Sequence, residues 1–161
     1  MTPPADVILV VLDVDGVLTD GRLWYGPDGE SLKVFDVRDG HGIRNLIAAG
    51  IGVAVISGRR SGAVSARMRE LGVSDVAQGV TDKARALAEL LKRNAIDAKR
   101  VACLVDDTPD LGLMAAVGLP AAVADAHPDV LSAAGHVTRA DGGNGAVREF
   151  CDWLIASRAG R

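Results

Sequence analysis

Short apolar runs alternate along the chain with segments whose apolar residues recur at helical spacing. Val7-Ile8-Leu9-Val10-Val11-Leu12 is unbroken and rich in β-branched residues, the pattern of a strand covered on both faces. Residues 51–56 and Val101–Val105 read the same way, 121–123 as a weaker fourth strand and Val137-Thr138 as a short fifth. Between them, Ile43, Leu46 and Ile47 share a helical face that ends at Gly50, and Val64, Met68 and Leu71 share one that ends at Gly72. Ala84, Leu87, Leu90 and Leu91 follow Asp82 as N-cap, with Glu89 placed to pair with Arg93. Helices over 111–117 and 129–134 stop at Gly118 and Gly135, and 146–157 forms the last one. The repeated stop is a glycine just past the last turn, a position that favours left-handed backbone.

Strands alternating with helices predict an α/β fold, Rossmann-like and doubly wound, with a mostly parallel sheet. One stretch departs from the alternation. Residues 22–25 and 31–35 flank Gly26-Pro27-Asp28-Gly29, which predicts a β-hairpin inserted after the first strand. No insertion is large enough for a cap domain, and 161 residues suit a single domain spanning 1–161. A composition 48% hydrophobic and 24% charged excludes a disordered chain. A net charge of −3 with 3% aromatics argues against nucleic-acid binding. The apolar run near the N-terminus falls far short of the roughly 20 residues of a membrane span. With Arg22 as the first basic residue there is no secretory pattern either, so a cytoplasmic location is expected. Two cysteines, Cys103 and Cys151, give no disulfide framework and no zinc pattern.

In open α/β sheets, reacting groups gather at the carboxyl ends of the strands. The first run is followed by Asp13, Asp15 and Gly16, the second by Ser57 and Gly58, and the third by Asp106 and Asp107, with Asp110 one turn on. Lys83 opens the helix before that third strand. Carboxylates so grouped raise one another's pKa unless a cation joins them, and hard oxygen ligands suit Mg²⁺. A cation with Lys83 and Ser57 makes a site for a phosphoryl group, which an Asp carboxylate can accept covalently. Strand periodicity puts Asp13 and Asp15 on one side where the strand ends, so that one attacks phosphorus while the other handles the proton.

The segment Asp13-Val14-Asp15-Gly16-Val17-Leu18-Thr19-Asp20-Gly21 resembles the first motif of the haloacid dehalogenase superfamily of phosphatases, and Ser57, Lys83 and Asp106-Asp107 with Asp110 resemble its later motifs in order. More narrowly, the chain is similar to the phosphatases of 3-deoxy-D-manno-octulosonate 8-phosphate, through Arg38-Asp39-Gly40, Ser57-Gly58-Arg59, Ala124-Asp125-Ala126-His127-Pro128 and Gly142-Gly143-Asn144-Gly145. The resemblance implies a Mg²⁺-dependent homotetramer that hydrolyses a sugar-acid phosphate through an aspartyl-phosphate in lipopolysaccharide precursor synthesis, with a neighbouring subunit closing the site. It implies Asp13 as nucleophile and metal ligand, Asp15 as general acid/base lending its main-chain carbonyl to the metal, and Asp106 as the third ligand. Ser57 and Lys83 would hold the phosphoryl oxygens, Gly58 would let the backbone approach, and Arg59 would face the substrate. A related nine-carbon sugar-acid phosphatase carries an acidic residue at the position of Arg59, so Arg59 favours the eight-carbon substrate over a 9-phosphate. Asp107 and Asp110 support the ligands from behind or, on the residues alone, cap the following helix. Arg59 equally reads as surface charge, and Asp125 and His127 as shaping a helix start. Val105 stands where the family has glycine. A phosphoryl-accepting receiver module uses the same residue types in another order, and a non-catalytic relative is the third reading.

Overall fold

The computed structural model describes residues 2–159. Among these residues the hydrophobic pattern folds into eight strands and six α-helices: β1 (Leu9–Leu12), β2 (Trp24–Gly26), β3 (Gly29–Leu32), α1 (Val37–Ala48), β4 (Gly52–Ser57), α2 (Gly62–Leu71), β5 (Asp75–Gln78), α3 (Lys83–Asn94), β6 (Val101–Val105), α4 (Leu111–Ala115), β7 (Leu119–Ala122), α5 (Pro128–Ala133), β8 (His136–Val137) and α6 (Ala146–Ala159). Six strands form one sheet in the order β5-β4-β1-β6-β7-β8, every neighbouring pair parallel, and β2 and β3 form the separate hairpin. Every residue of β1 and β6 is buried, because helices cover both faces of the sheet. One helical group packs α1 on α6 and α2, the other α3 on α4 and α4 on α5. Cys103 and Cys151 are both free and buried in this core.

The strand order reverses at β1, whose neighbours β4 and β6 connect to opposite sides of the sheet. A crevice forms at the carboxyl ends of strands at such a point. Pairing puts Leu12 opposite Val55 on β4 and opposite Leu104 on β6, so Asp13, Ser57 and Asp106 emerge at one edge.

Several local expectations need correction. Residues 75–78 form a strand that carries no apolar run, because β5 is an edge strand and all four of its residues are only half-buried. Glu89 pairs one turn back with Arg85 at 3.1 Å, and Arg93 reaches Asp75 at 2.6 Å instead. Ile47 turns outward, away from Ile43 and Leu46. Left-handed glycines do end α1 and α2, at Gly50 and Gly72, whereas α3 ends on a left-handed Ala95 with φ 52°. Gly118 is needed for space, not for φ: a Cβ there would lie 1.9 Å from the Lys99 carbonyl oxygen. Val105 occupies the last position of β6 with its side chain fully buried, so it serves the core.

Candidate active site

β1 ends at Leu12 and the chain turns at once, with the Val14 carbonyl accepting the amides of Val17, Leu18 and Thr19. Asp13 still donates its amide to the Leu104 carbonyl of β6, whereas Asp15 stands on the turn, so the period-two argument for placing them together does not extend that far. Gly16 has φ +89°, and a Cβ on it would fall 2.0 Å from Asp106 Oδ2, so only glycine lets this turn lie against Asp106. A second glycine stretch closes on the turn from the other side: the Gly143 amide donates to the Val17 carbonyl at 2.9 Å, and the Gly142 amide to Asp125 Oδ1 at 2.9 Å.

Carboxylate oxygens of Asp13, Asp106 and Asp110 lie within 4.8 Å of one another. The Lys83 ammonium sits between two of them, 3.0 Å from Asp13 and 2.6 Å from Asp110. Burial, then the charge of Asp110, pushes the Asp13 carboxyl up to about 6. Burial followed by the charges of Asp13, Asp110 and Asp107 pushes Asp106 up to about 8. Burial works against the charge on Lys83, but its two carboxylate partners prevail and its pKa is raised. Three acidic groups thus face one cation, and Asp106 Oδ1 and Asp110 Oδ2 are buried without a hydrogen-bond partner. An all-oxygen set short of positive charge, with orphaned oxygens, fits a hard divalent cation such as Mg²⁺.

Ser57 ends β4 with its hydroxyl buried, accepting the Arg59 amide at 3.3 Å. Gly58 is exposed, and a Cβ there would make only an ordinary 3.6 Å contact with the Val80 carbonyl oxygen, so nothing within the chain demands glycine. Asp107 is exposed and caps the turn that follows, accepting the Thr108 amide at 2.7 Å. Asp110 makes no such cap: its side chain is buried and turned to Lys83. Asp125 and His127 shape turns, the latter accepting the Asp129 amide through Nδ1 at the start of α5.

Asp15 stands apart from the three-carboxylate cluster, and its carboxylate pairs with Lys33 from the hairpin. Lys33 also reaches Glu30 at 3.3 Å, and Glu30 pairs with Arg59 at 3.0 Å, whose guanidinium donates to the Tyr25 hydroxyl at 3.1 Å. Lys33 and Glu30 carry no motif and read in the sequence as solvated hairpin charges. Asp39 was also silent as a working residue. It is buried on α1, accepts the Arg148 amide at 2.8 Å at the start of α6, and is raised to about 6 by desolvation. A helix cap supplied from another element leaves no local spacing to find.

Residues 72–150 match the family of haloacid dehalogenase-like hydrolases. The 3-deoxy-D-manno-octulosonate 8-phosphate phosphatase of Yersinia pestis is 47% identical over 154 residues, which cover 96% of this chain and 82% of that protein. The chain belongs to this phosphatase family. Among solved haloacid dehalogenase-like structures, the cobalt-bound Haemophilus influenzae phosphatase superposes with a TM-score of 0.96 at 41% identity, covering 98% of this chain and 92% of that one. The Moraxella catarrhalis phosphatase, described in complex with a magnesium ion, a phosphate ion and a KDO molecule, superposes with a TM-score of 0.94 at 36% identity, covering 98% of this chain and 90% of that one.

Proposed function

We propose that this chain is a Mg²⁺-dependent phosphoric monoester hydrolase that converts 3-deoxy-D-manno-octulosonate 8-phosphate to the free sugar acid and phosphate. The observation that carries the reading is the crowding of Asp13, Asp106 and Asp110 around Lys83 at the switch point of the sheet. Family membership supplies the substrate. Asp13, Asp106 and the main-chain carbonyl of Asp15 would hold Mg²⁺, which supplies positive charge to the carboxylates and to the phosphoryl oxygens. Ser57 and Lys83 hold those oxygens, Gly58 leaves room beside them, and Asp110 keeps Lys83 in place. Asp107 supports the same corner from the turn it caps.

In the first step an Asp13 oxygen bonds to phosphorus and the ester P–O bond breaks. The departing sugar oxygen keeps the electron pair and takes a proton from Asp15. In the second step water bonds to phosphorus and gives its proton to Asp15, and the Asp13–phosphorus bond breaks to restore the carboxylate. Arg59, paired with Glu30 yet with 40% of its side chain exposed, is the residue we assign to the sugar acid.

The whole chain acts as one hydrolase domain. Among the described residues no helix is long and apolar enough to cross a membrane, and we place the enzyme in the cytoplasm. Its hairpin exposes Leu23, Trp24, Tyr25, Leu32 and Val34, an apolar face that suits a homotetramer in which a neighbour covers the site. Light scattering on a Trp24→Ser/Leu32→Ser variant should show loss of the assembly.

Phosphate release from a panel of sugar and sugar-acid phosphates, with Mg²⁺ and with chelator, tests the function. Mg²⁺-dependent preference for the eight-carbon acid is expected, together with loss of turnover in a folded Asp13→Asn variant. Equal activity across the panel would remove the substrate assignment, and activity in Asp13→Asn would remove the nucleophile.

A further inference from the structure

The hairpin strand β3 and the residues after it are inverted for a protein surface. Leu32 and Val34 each stand 62% exposed, whereas Lys33 between them turns inward and keeps only 2% of its side chain accessible. A lysine is rarely buried unless paired, because desolvating an unpaired ammonium costs several kcal/mol or more. Here the pairing is double: Lys33 meets Asp15 on the first turn and Glu30 on its own hairpin. Glu30 gives its other oxygen to Arg59 at 3.0 Å. The result is a chain of alternating charge, Asp15–Lys33–Glu30–Arg59, running from the turn after β1 through the hairpin to the loop after β4.

Asp15 needs such a support. Its backbone lies in a tight turn, and among the described residues its carboxylate is held by Lys33 alone. The Lys83 ammonium, the other buried cation, pairs with Asp13 and Asp110 and not with Asp15. Resting on the proposed function, we propose that Lys33 is the positioning residue for Asp15. It fixes the Asp15 carboxyl group where, once protonated, it delivers its proton to the departing sugar oxygen, and Glu30 and Arg59 fix Lys33. Lys33 touches neither phosphorus nor the leaving oxygen, so its effect passes entirely through Asp15.

A leaving-group comparison separates this role from a general structural one. The sugar alkoxide must be protonated as it leaves, whereas p-nitrophenolate departs as a stable anion without a proton. A misplaced acid therefore slows formation of the aspartyl-phosphate from the sugar phosphate but not from p-nitrophenyl phosphate, and kcat/KM reports that step. Wild type, Asp15→Asn and Lys33→Met are compared on both substrates with Mg²⁺. General acid–base catalysis contributes roughly 100-fold or more. Lys33→Met should lose at least about 10-fold of that on the sugar phosphate while staying within about 3-fold on p-nitrophenyl phosphate, in the same direction as Asp15→Asn. Equal losses on both substrates, or none on either, overturn the role of Lys33. If Asp15→Asn itself shows no difference between the substrates, the acid assignment falls and takes this inference with it. Should Lys33→Met not fold, Lys33→Gln carries the same comparison, since its neutral amide fits the same space.

Discussion

Gly142 offers the sharpest test of how the site is held in place. A Cβ at this position would lie 1.7 Å from the Gly16 carbonyl oxygen and 2.5 Å from its carbon, both backbone atoms that no rotamer change can move. Real Cβ contacts do not fall below 3.0 Å, so Gly142→Ala must open the interface by about 1.3 Å. The backbone at Gly142 is not left-handed, which leaves this contact as the whole cause. The atom pushed belongs to the turn that carries Asp15 and follows directly on Asp13. Misplacing reacting groups by about 1 Å can cost roughly 100-fold in rate, and overpacking costs typically about 1–3 kcal/mol of stability. We therefore expect Gly142→Ala to melt cooperatively at a lower temperature and to lose about 100-fold in kcat at saturating substrate and Mg²⁺. Gly62→Ala is the control, because a Cβ there meets nothing within 4 Å. A Gly142→Ala enzyme within about 3-fold of wild-type kcat would refute the idea that the glycine loop sets the position of the nucleophile.

The carboxylate cluster should make metal-free stability depend on pH. Asp106 is raised from 3.8 to about 8, so between those values the folded protein binds a proton that the unfolded chain has released. Stability then falls as pH rises, by about 1.4 kcal/mol per pH unit from this group. Urea unfolding in chelator at two pH values between 6.5 and 7.5 should show the slope, and Asp106→Asn should flatten it; an unchanged slope in the variant would contradict the assignment. Added Mg²⁺ should stabilise wild type more at the higher pH, because the ligands must be deprotonated to bind it. Ala95→Gly relieves an exposed non-glycine residue at φ 52° and should raise the free energy of unfolding by about 0.5–1 kcal/mol, seen as a higher urea midpoint with an unchanged m-value.

The legible parts of this protein are those written locally. Buried strands announce themselves as β-branched runs, and a strand that ends in Asp-x-Asp-Gly points to its own chemistry. The placement of Ser57 and Asp106 was equally readable, because strand ends of a doubly wound sheet converge at one edge, and Lys83 was readable as the first residue of the helix after Asp82. What escaped depends on partners distant in sequence. Strand β5 lacks an apolar run because one of its sides has no neighbour. Asp110 reads equally as a cap until its fold places it against Lys83, 27 residues away. Lys33 lies 18 residues from Asp15, and only the inward turn of the hairpin joins them. The pairing of Arg93 with Asp75, in place of Glu89, has the same origin: an edge strand that the pattern did not show.

The two buried thiols have a practical consequence. Burial pushes Cys103 up to about 12 and Cys151 higher still, so at neutral pH neither offers a thiolate or a path for a reagent. For maleimide chemistry the wild-type chain is already blank. A single cysteine placed at an exposed position outside the hairpin's apolar face, such as Asp28 in the hairpin turn, would be the sole point of attachment for a fluorophore, with no background mutations to remove first. Movement of the hairpin during turnover could then be followed in an otherwise unaltered enzyme.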